Sequence, residues 1–77
     1  MKYVSDRITV DDEVCNGKPT IRGSRVTVQT VLGFLSQGDS INVILDQYPV
    51  LELEDIRACL SFASKMIDKF TISPTAA

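Results

Sequence analysis

The stretch Leu53-Glu54-Asp55-Ile56-Arg57-Ala58-Cys59-Leu60-Ser61-Phe62-Ala63-Ser64-Lys65-Met66-Ile67-Asp68-Lys69-Phe70 decides the fold. Leu53, Ile56, Cys59, Leu60, Ala63, Met66, Ile67 and Phe70 recur in steps that keep to one face of an α-helix, and the spacing predicts a helix of roughly 17 residues. The opposite face carries Glu54, Arg57, Ser61, Ser64, Lys65 and Asp68. Glu52, Glu54 and Asp55 fall in the first turn and Lys65 and Lys69 near the last, the order of charge that complements a helix dipole.

Two shorter helical patterns precede it. Ile41, Ile44, Leu45 and Tyr48 share a face, with Asp39 or Ser40 placed to cap the start and Pro49 to prevent continuation. Val28, Val31, Leu32 and Leu35 share another, with Thr27 as the cap and Gly38 as the left-handed stop. The tight turn Pro49-Val50-Leu51 between the second and third helices is the helix-turn-helix arrangement. Three helices around one core also suit a plain interaction domain.

Upstream of Val28 the chain is short and punctuated. Arg7-Ile8-Thr9-Val10 and Thr20-Ile21-Arg22 favour extended backbone, Asn16-Gly17-Lys18-Pro19 is a turn signal, and Gly23-Ser24 suits a two-residue hairpin turn. The expected fold is therefore mainly α. A short N-terminal β-hairpin, residues 7–28, leads into a three-helix helix-turn-helix core, residues 28–70, and a flexible tail, residues 71–77, within one domain.

Composition narrows the function classes. The chain has 77 residues, 44% hydrophobic, with 8 Lys+Arg against 10 Asp+Glu. So short a chain buries only about 60% of the surface its unfolded form exposes, so a homodimer or a protein partner is expected to complete it. No apolar run is long enough for a membrane span or a signal peptide, and the expected location is cytoplasmic, away from membranes. There is no histidine, and Cys15 and Cys59 form no C-x-x-C pair, so neither a zinc site nor a Ser/His or Cys/His nucleophile can be assembled. Two free thiols are expected. Asp11-Asp12-Glu13 is the remaining place for Mg²⁺, but consecutive acids do not converge on one ion, and a solvated loop is expected there. The reading is a non-enzyme without cofactor or metal.

Charge placement bears on DNA. The N-terminal part of the third helix, which a helix-turn-helix offers to the major groove, reads Glu52-Leu53-Glu54-Asp55 before the single Arg57, and carboxylates there oppose phosphates. The basic residues gather instead in Lys18, Arg22 and Arg25, a segment free of acids from Cys15 to Leu35. They would either lie on phosphates or pair with Asp11, Asp12 and Glu13.

One pattern is specific. The run Ile8-Thr9-Val10-Asp11-Asp12-Glu13-Val14-Cys15-Asn16-Gly17-Lys18-Pro19-Thr20-Ile21-Arg22-Gly23-Ser24-Arg25-Val26-Thr27-Val28, followed by Gly38-Asp39-Ser40, Tyr48-Pro49-Val50-Leu51 and Asp55-Ile56-Arg57-Ala58, resembles the prokaryotic family catalogued as domain of unknown function 433. Gly17, Lys18, Pro19, Ile21, Gly23, Ser24 and Arg25 match the family's core, as do Tyr48-Pro49 and Asp55-Ile56. Asn16 replaces a glycine there, which Asn tolerates at positive φ, and Asp12 takes a usual proline position. Glu52 stands where a Ser or Thr cap is common before the third helix.

The resemblance implies a homeodomain-like or winged-helix-like helix-turn-helix protein. It further implies an antitoxin of a two-gene toxin–antitoxin module that silences a PIN-like ribonuclease toxin and represses its own operon as a dimer, with operator DNA as second ligand. On that reading Lys18, Arg22 and Arg25 are phosphate contacts and Arg57 lies near a groove. Glu52, Glu54 and Asp55, or the apolar tail through Phe70 and Ile72, face the toxin. The alternative is a homodimeric interaction module that never touches DNA.

Overall fold

The computed structural model describes residues 1–70, so Ile72 and the tail expected at 71–77 lie outside the described residues. Three strands precede three helices: β1 (Lys2–Ser5), β2 (Ile8–Val10), β3 (Thr20–Ile21), α1 (Val28–Ser36), α2 (Ile41–Gln47) and α3 (Leu53–Asp68). The strands form one antiparallel sheet in the order β1-β2-β3. The architecture is thus mixed α/β, with one strand more than the expected hairpin. No helix among the described residues is long and apolar enough to cross a membrane.

The sheet corrects the reading of the first third. Its tight hairpin is not at Gly23-Ser24 but at Asp6-Arg7, where β1 turns into β2 with Lys2 opposite Val10, Tyr3 opposite Thr9 and a bulge at Val4. Met1, Tyr3 and Val4 are exposed, so β1 carries no buried alternation for a sequence reading to detect. The chain also reverses at Gly23-Ser24, but the returning arm forms only one bridge, Thr20 to Thr27, because Thr27 is already committed to capping α1. Gly23 takes φ +73°, and its N–H donates to the buried Thr9 Oγ1 at 2.8 Å. Asn16 sits at φ 57°, the left-handed conformation expected of it.

The helices begin where the capping residues predict. Thr27 Oγ1 accepts the N–H of Thr30 at 3.0 Å, and Ser40, not Asp39, caps α2 through the N–H of Val43 at 3.3 Å. Gly38, at φ +93°, ends the α1 turn. α3 starts with Glu52 as its cap residue, and the box is closed from inside the helix: the Asp55 carboxylate accepts the Glu52 N–H at 2.8 Å.

The core is small: Ile8, Ile21, Val28, Val31, Ile44, Leu51, Ile56 and Cys59, with Phe34 and Tyr48 edge-to-face beside it at 6.0 Å. It draws one or two residues from every element except β1. Thr9 and Thr20, buried in the sheet, satisfy each other through their hydroxyls at 3.1 Å, so the polar pair needs no water. α3 is fully covered only along its first half, and beyond it Phe62 packs partly buried against the core. Its last buried residue is Cys59, whereas Leu60, Met66, Ile67 and Phe70 are 47%, 50%, 71% and 75% exposed.

Two isoleucines on one helix therefore test the packing. Ile56→Ala opens a cavity at a fully buried site and is expected to cost about 2–5 kcal/mol, while Ile67→Ala is expected to stay within about 0.5 kcal/mol. Urea unfolding of the two variants measures both. Equal losses would place the second half of α3 in the core.

Candidate functional site

The functional reading turns on where the charged side chains go. Asp55 is the third residue of α3 and is fully buried, and four N–H groups converge on it. Arg22 grips it with Nε on Oδ1 at 2.9 Å and Nη2 on Oδ2 at 2.8 Å, a bidentate fork. Arg7 Nη1 reaches Oδ1 at 3.0 Å and also Glu52 Oε1 at 2.8 Å. The Glu52 backbone N–H supplies the fourth contact. Arg22 Nη2 further donates to the Val50 carbonyl at 2.8 Å, which ties the α2–α3 turn to the loop after β3.

Both arginines hold left-handed backbone, Arg7 at φ 66° and Arg22 at φ 49°, and the Arg22 N–H donates to the Arg7 carbonyl at 2.9 Å. That conformation costs a non-glycine residue on the order of 1 kcal/mol, and here it aims both guanidinium groups at one carboxylate. Burial alone would push the Asp55 carboxyl up. Arg22, the Glu52 N–H and Arg7 outweigh it and hold the group below its ordinary range. The same hydrogen bonds push Arg7 and Arg22 further up, so both stay charged at any pH the fold survives.

These positions revise the expected contacts. Asp55 is no part of an exposed acidic edge, because a fully buried carboxylate with four donors cannot face a partner. Arg22 has three of its five N–H groups engaged inside the protein, which withdraws most of it from any phosphate. The basic segment therefore does not act as one patch. Lys18 lies with Cys15, Asn16, Thr27, Gln29 and Thr30 around a polar depression, and Arg25 is exposed. Arg57 makes only a 3.4 Å surface pair with Glu54, and both are largely exposed. Glu52 is bound to Arg7, and Phe70 is open to solvent. Arg7, absent from the expected site, has no local signal: its acidic partners lie 45 and 48 positions away.

Two surfaces flank α3. On its polar side, Arg57, Ser61 and Lys65 stand one turn apart along a cleft of about 210 Å³ closed by Ser5, Asp6 and Arg7 of the β1–β2 turn. On its apolar side a groove of about 340 Å³ runs between α1 and the second half of α3. Asp11, expected in a solvated loop, accepts the Glu13 N–H at 2.9 Å and pairs with the N-terminal amine at 3.6 Å. Cys59 is pushed up to about 11 by burial and by nearby Asp55, so it is no nucleophile near neutral pH. Both thiols are free, as expected.

Comparison with known proteins identifies a family and a shared fold. A family profile described as "Protein of unknown function (DUF433)" matches residues 8–63. An uncharacterized protein, y4eO, of Sinorhizobium fredii (strain NBRC 101917 / NGR234) is 32% identical over 56 residues, covering 73% of this chain and 25% of the relative. The crystal structure of a DUF433 member from Anabaena variabilis ATCC 29413 superposes with a TM-score of 0.75 at 28% identity, covering 82% of this chain and 62% of that one. The chain thus spans about a quarter of the curated relative and less than two thirds of the solved one.

The carboxylate gives a signed prediction. A carboxyl whose folded pKa lies below its unfolded value of about 3.9 stabilises the fold fully above that value, and the contribution is lost as pH falls through the lowered folded value. Stability at pH 7 is expected to exceed that at pH 3, and Asp55→Asn is expected to flatten the difference. Asp55→Ala is expected to cost about 2–4 kcal/mol, since the partly exposed arginines it strands can turn to water. Denaturation of both variants across pH 3–7 checks this; an unchanged pH slope would remove Asp55 from the account.

Proposed function

The chain belongs to the DUF433 family, and on that premise we propose that it is a non-catalytic, helix-turn-helix antitoxin-like protein of the homeodomain-like or winged-helix-like kind. Its role is to bind and silence a PIN-like ribonuclease toxin. One observation carries the reading: α3 outruns the core, and among the described residues none after Cys59 is fully buried, with Leu60, Met66, Ile67 and Phe70 exposed while the apolar period continues to Phe70. An apolar helix face of this length without cover is what a protein partner uses.

Operator DNA is the second ligand of the reading. The polar face of α3 supports it through Arg57, Ser61 and Lys65, with Lys18 and Arg25 as outlying cations. Arg22 no longer belongs to that set. Net charge of −2 and the acids at the start of α3 favour the other possibility, an interaction module that binds protein alone. Self-association has a surface of its own in the open edge of β1, where Tyr3 and Val4 are exposed.

Co-expression with the product of the adjacent open reading frame tests the main reading. A small Mg²⁺-dependent ribonuclease is expected to copurify with this chain and to lose RNA cleavage in the complex; full cleavage in its presence would overturn the proposal. Retardation of the upstream promoter fragment tests the DNA branch. Binding is expected to weaken steeply between about 50 and 200 mM salt, with Arg57→Ala and Lys65→Ala each reducing the salt slope by about 1. No retardation at low salt, with the ribonuclease present, leaves the module that binds protein only.

A further inference from the structure

The groove beside α3 has a chemistry that identifies what would fill it. Its walls are Pro19, Val28 and Leu32 on one side and Phe62, Ala63, Met66 and Ile67 on the other, with Lys18 and Gln29 as its polar lining. Val28 and Leu32 stand one turn apart on α1, as do Phe62 and Met66, and Ala63 and Ile67, on α3, so each wall is a row of side chains along one helix face. Ala63, small and set between Phe62 and Met66, leaves the floor open for an inserted side chain. A slot walled by two helices accepts a third helix through anchors spaced at three and four residues.

Charge at the rim selects the occupant. Among the described residues no carboxylate lines the groove, while Lys18 does. Lys69 follows Met66 by three positions and so borders the same face at the C-terminal end of α3, whereas Lys65 lies on the polar side beside Ser61. Among the described residues neither Lys18 nor Lys69 has an ion-pair partner. A second copy of this chain would bring its own α3 with Lys69 beside the same apolar face, setting like charge against like. A membrane surface would meet the lysines, but the walls form a concave slot, and lipid binding uses a convex apolar face.

We propose that the groove between α1 and the second half of α3 binds one amphipathic helix of a partner protein, apolar on the buried side and carrying Glu or Asp along its flanks opposite Lys18 and Lys69. This rests on the partner-binding reading above and names the surface and the chemistry of its ligand. The helix places its large apolar anchors over Ala63 and between Leu32 and Met66. Its carboxylates govern the rate and register of docking more than its strength.

The probe is a pair of fluorescein-labelled 16-residue helical peptides with the same leucine face, one flanked by Glu and the other by Lys, titrated with the full chain and read by fluorescence anisotropy. The Glu peptide is expected to bind at least tenfold tighter than the Lys peptide at 50 mM salt. Ile67→Asp, at an exposed position that leaves the core untouched, is expected to weaken it at least tenfold. Lys18→Glu is expected to narrow the preference between the peptides at least threefold. Melting curves confirm that both variants remain folded. Equal binding of the two peptides, or no effect of Ile67→Asp, overturns the proposal. So does sedimentation showing a dimer that Ile67→Asp dissolves, since the occupant is then a second copy. The two readings fail separately. A ribonuclease complex that survives Ile67→Asp removes the groove and keeps the antitoxin; a peptide-binding groove in a chain that leaves the ribonuclease active does the reverse.

Discussion

A single carboxylate, buried at the start of α3, sets the arrangement of everything around it. Asp55 receives the β1–β2 turn through Arg7, the loop after β3 through Arg22, and the first turn of its own helix through the Glu52 N–H. Arg22 then passes the restraint on to the α2–α3 turn through the Val50 carbonyl. Three segments separated in sequence, around Arg7, Arg22 and Val50 to Asp55, thus meet at one charge. Buried ion pairs of this type contribute little net stability, because taking the charges from water costs nearly what their attraction returns. Their value lies in excluding alternatives: a sheet docked one residue out of place would leave Asp55 buried and unpaired, which is far worse than the native arrangement.

The clamp also divides the labour of α3. The first half, with Asp55, Ile56 and Cys59, is anchored to the sheet and the other helices. The second half touches the core through Phe62 and offers two different surfaces, a polar one past Arg57, Ser61 and Lys65 and an apolar one past Phe62, Met66 and Ile67. A rigid root with a free apolar extension is a sound design for recognition, because the extension is held in place without being used up.

How much of this could be read from the chain depends on the range of each signal. Helices were legible because their signals are local: Thr27 and Ser40 cap within three residues, and the apolar period needs only a few turns. The same period holds through the exposed second half of α3 as well, since spacing identifies an apolar face and says nothing of what covers it. β1 was invisible because an edge strand with its side chains in water has no alternation to show. Asp55 looks like any acid in a first helical turn, and an ordinary capping role would explain it fully. Only the distant turns that carry Arg7 and Arg22, 48 and 33 positions upstream, turn it into a structural centre.

Those separations bear on how the protein folds and how long it stays folded. Bringing residues 48 and 33 positions apart together requires the closure of long loops, whereas the helical turns form from near neighbours. On that ground the clamp and the sheet–helix core are expected to assemble after the helical turns. Interactions made after the folding barrier scarcely alter the speed of reaching the native state, but they slow escape from it. Arg7, Arg22 and Asp55 are thus expected to act, together with the small core, as a latch on the lifetime of the folded chain.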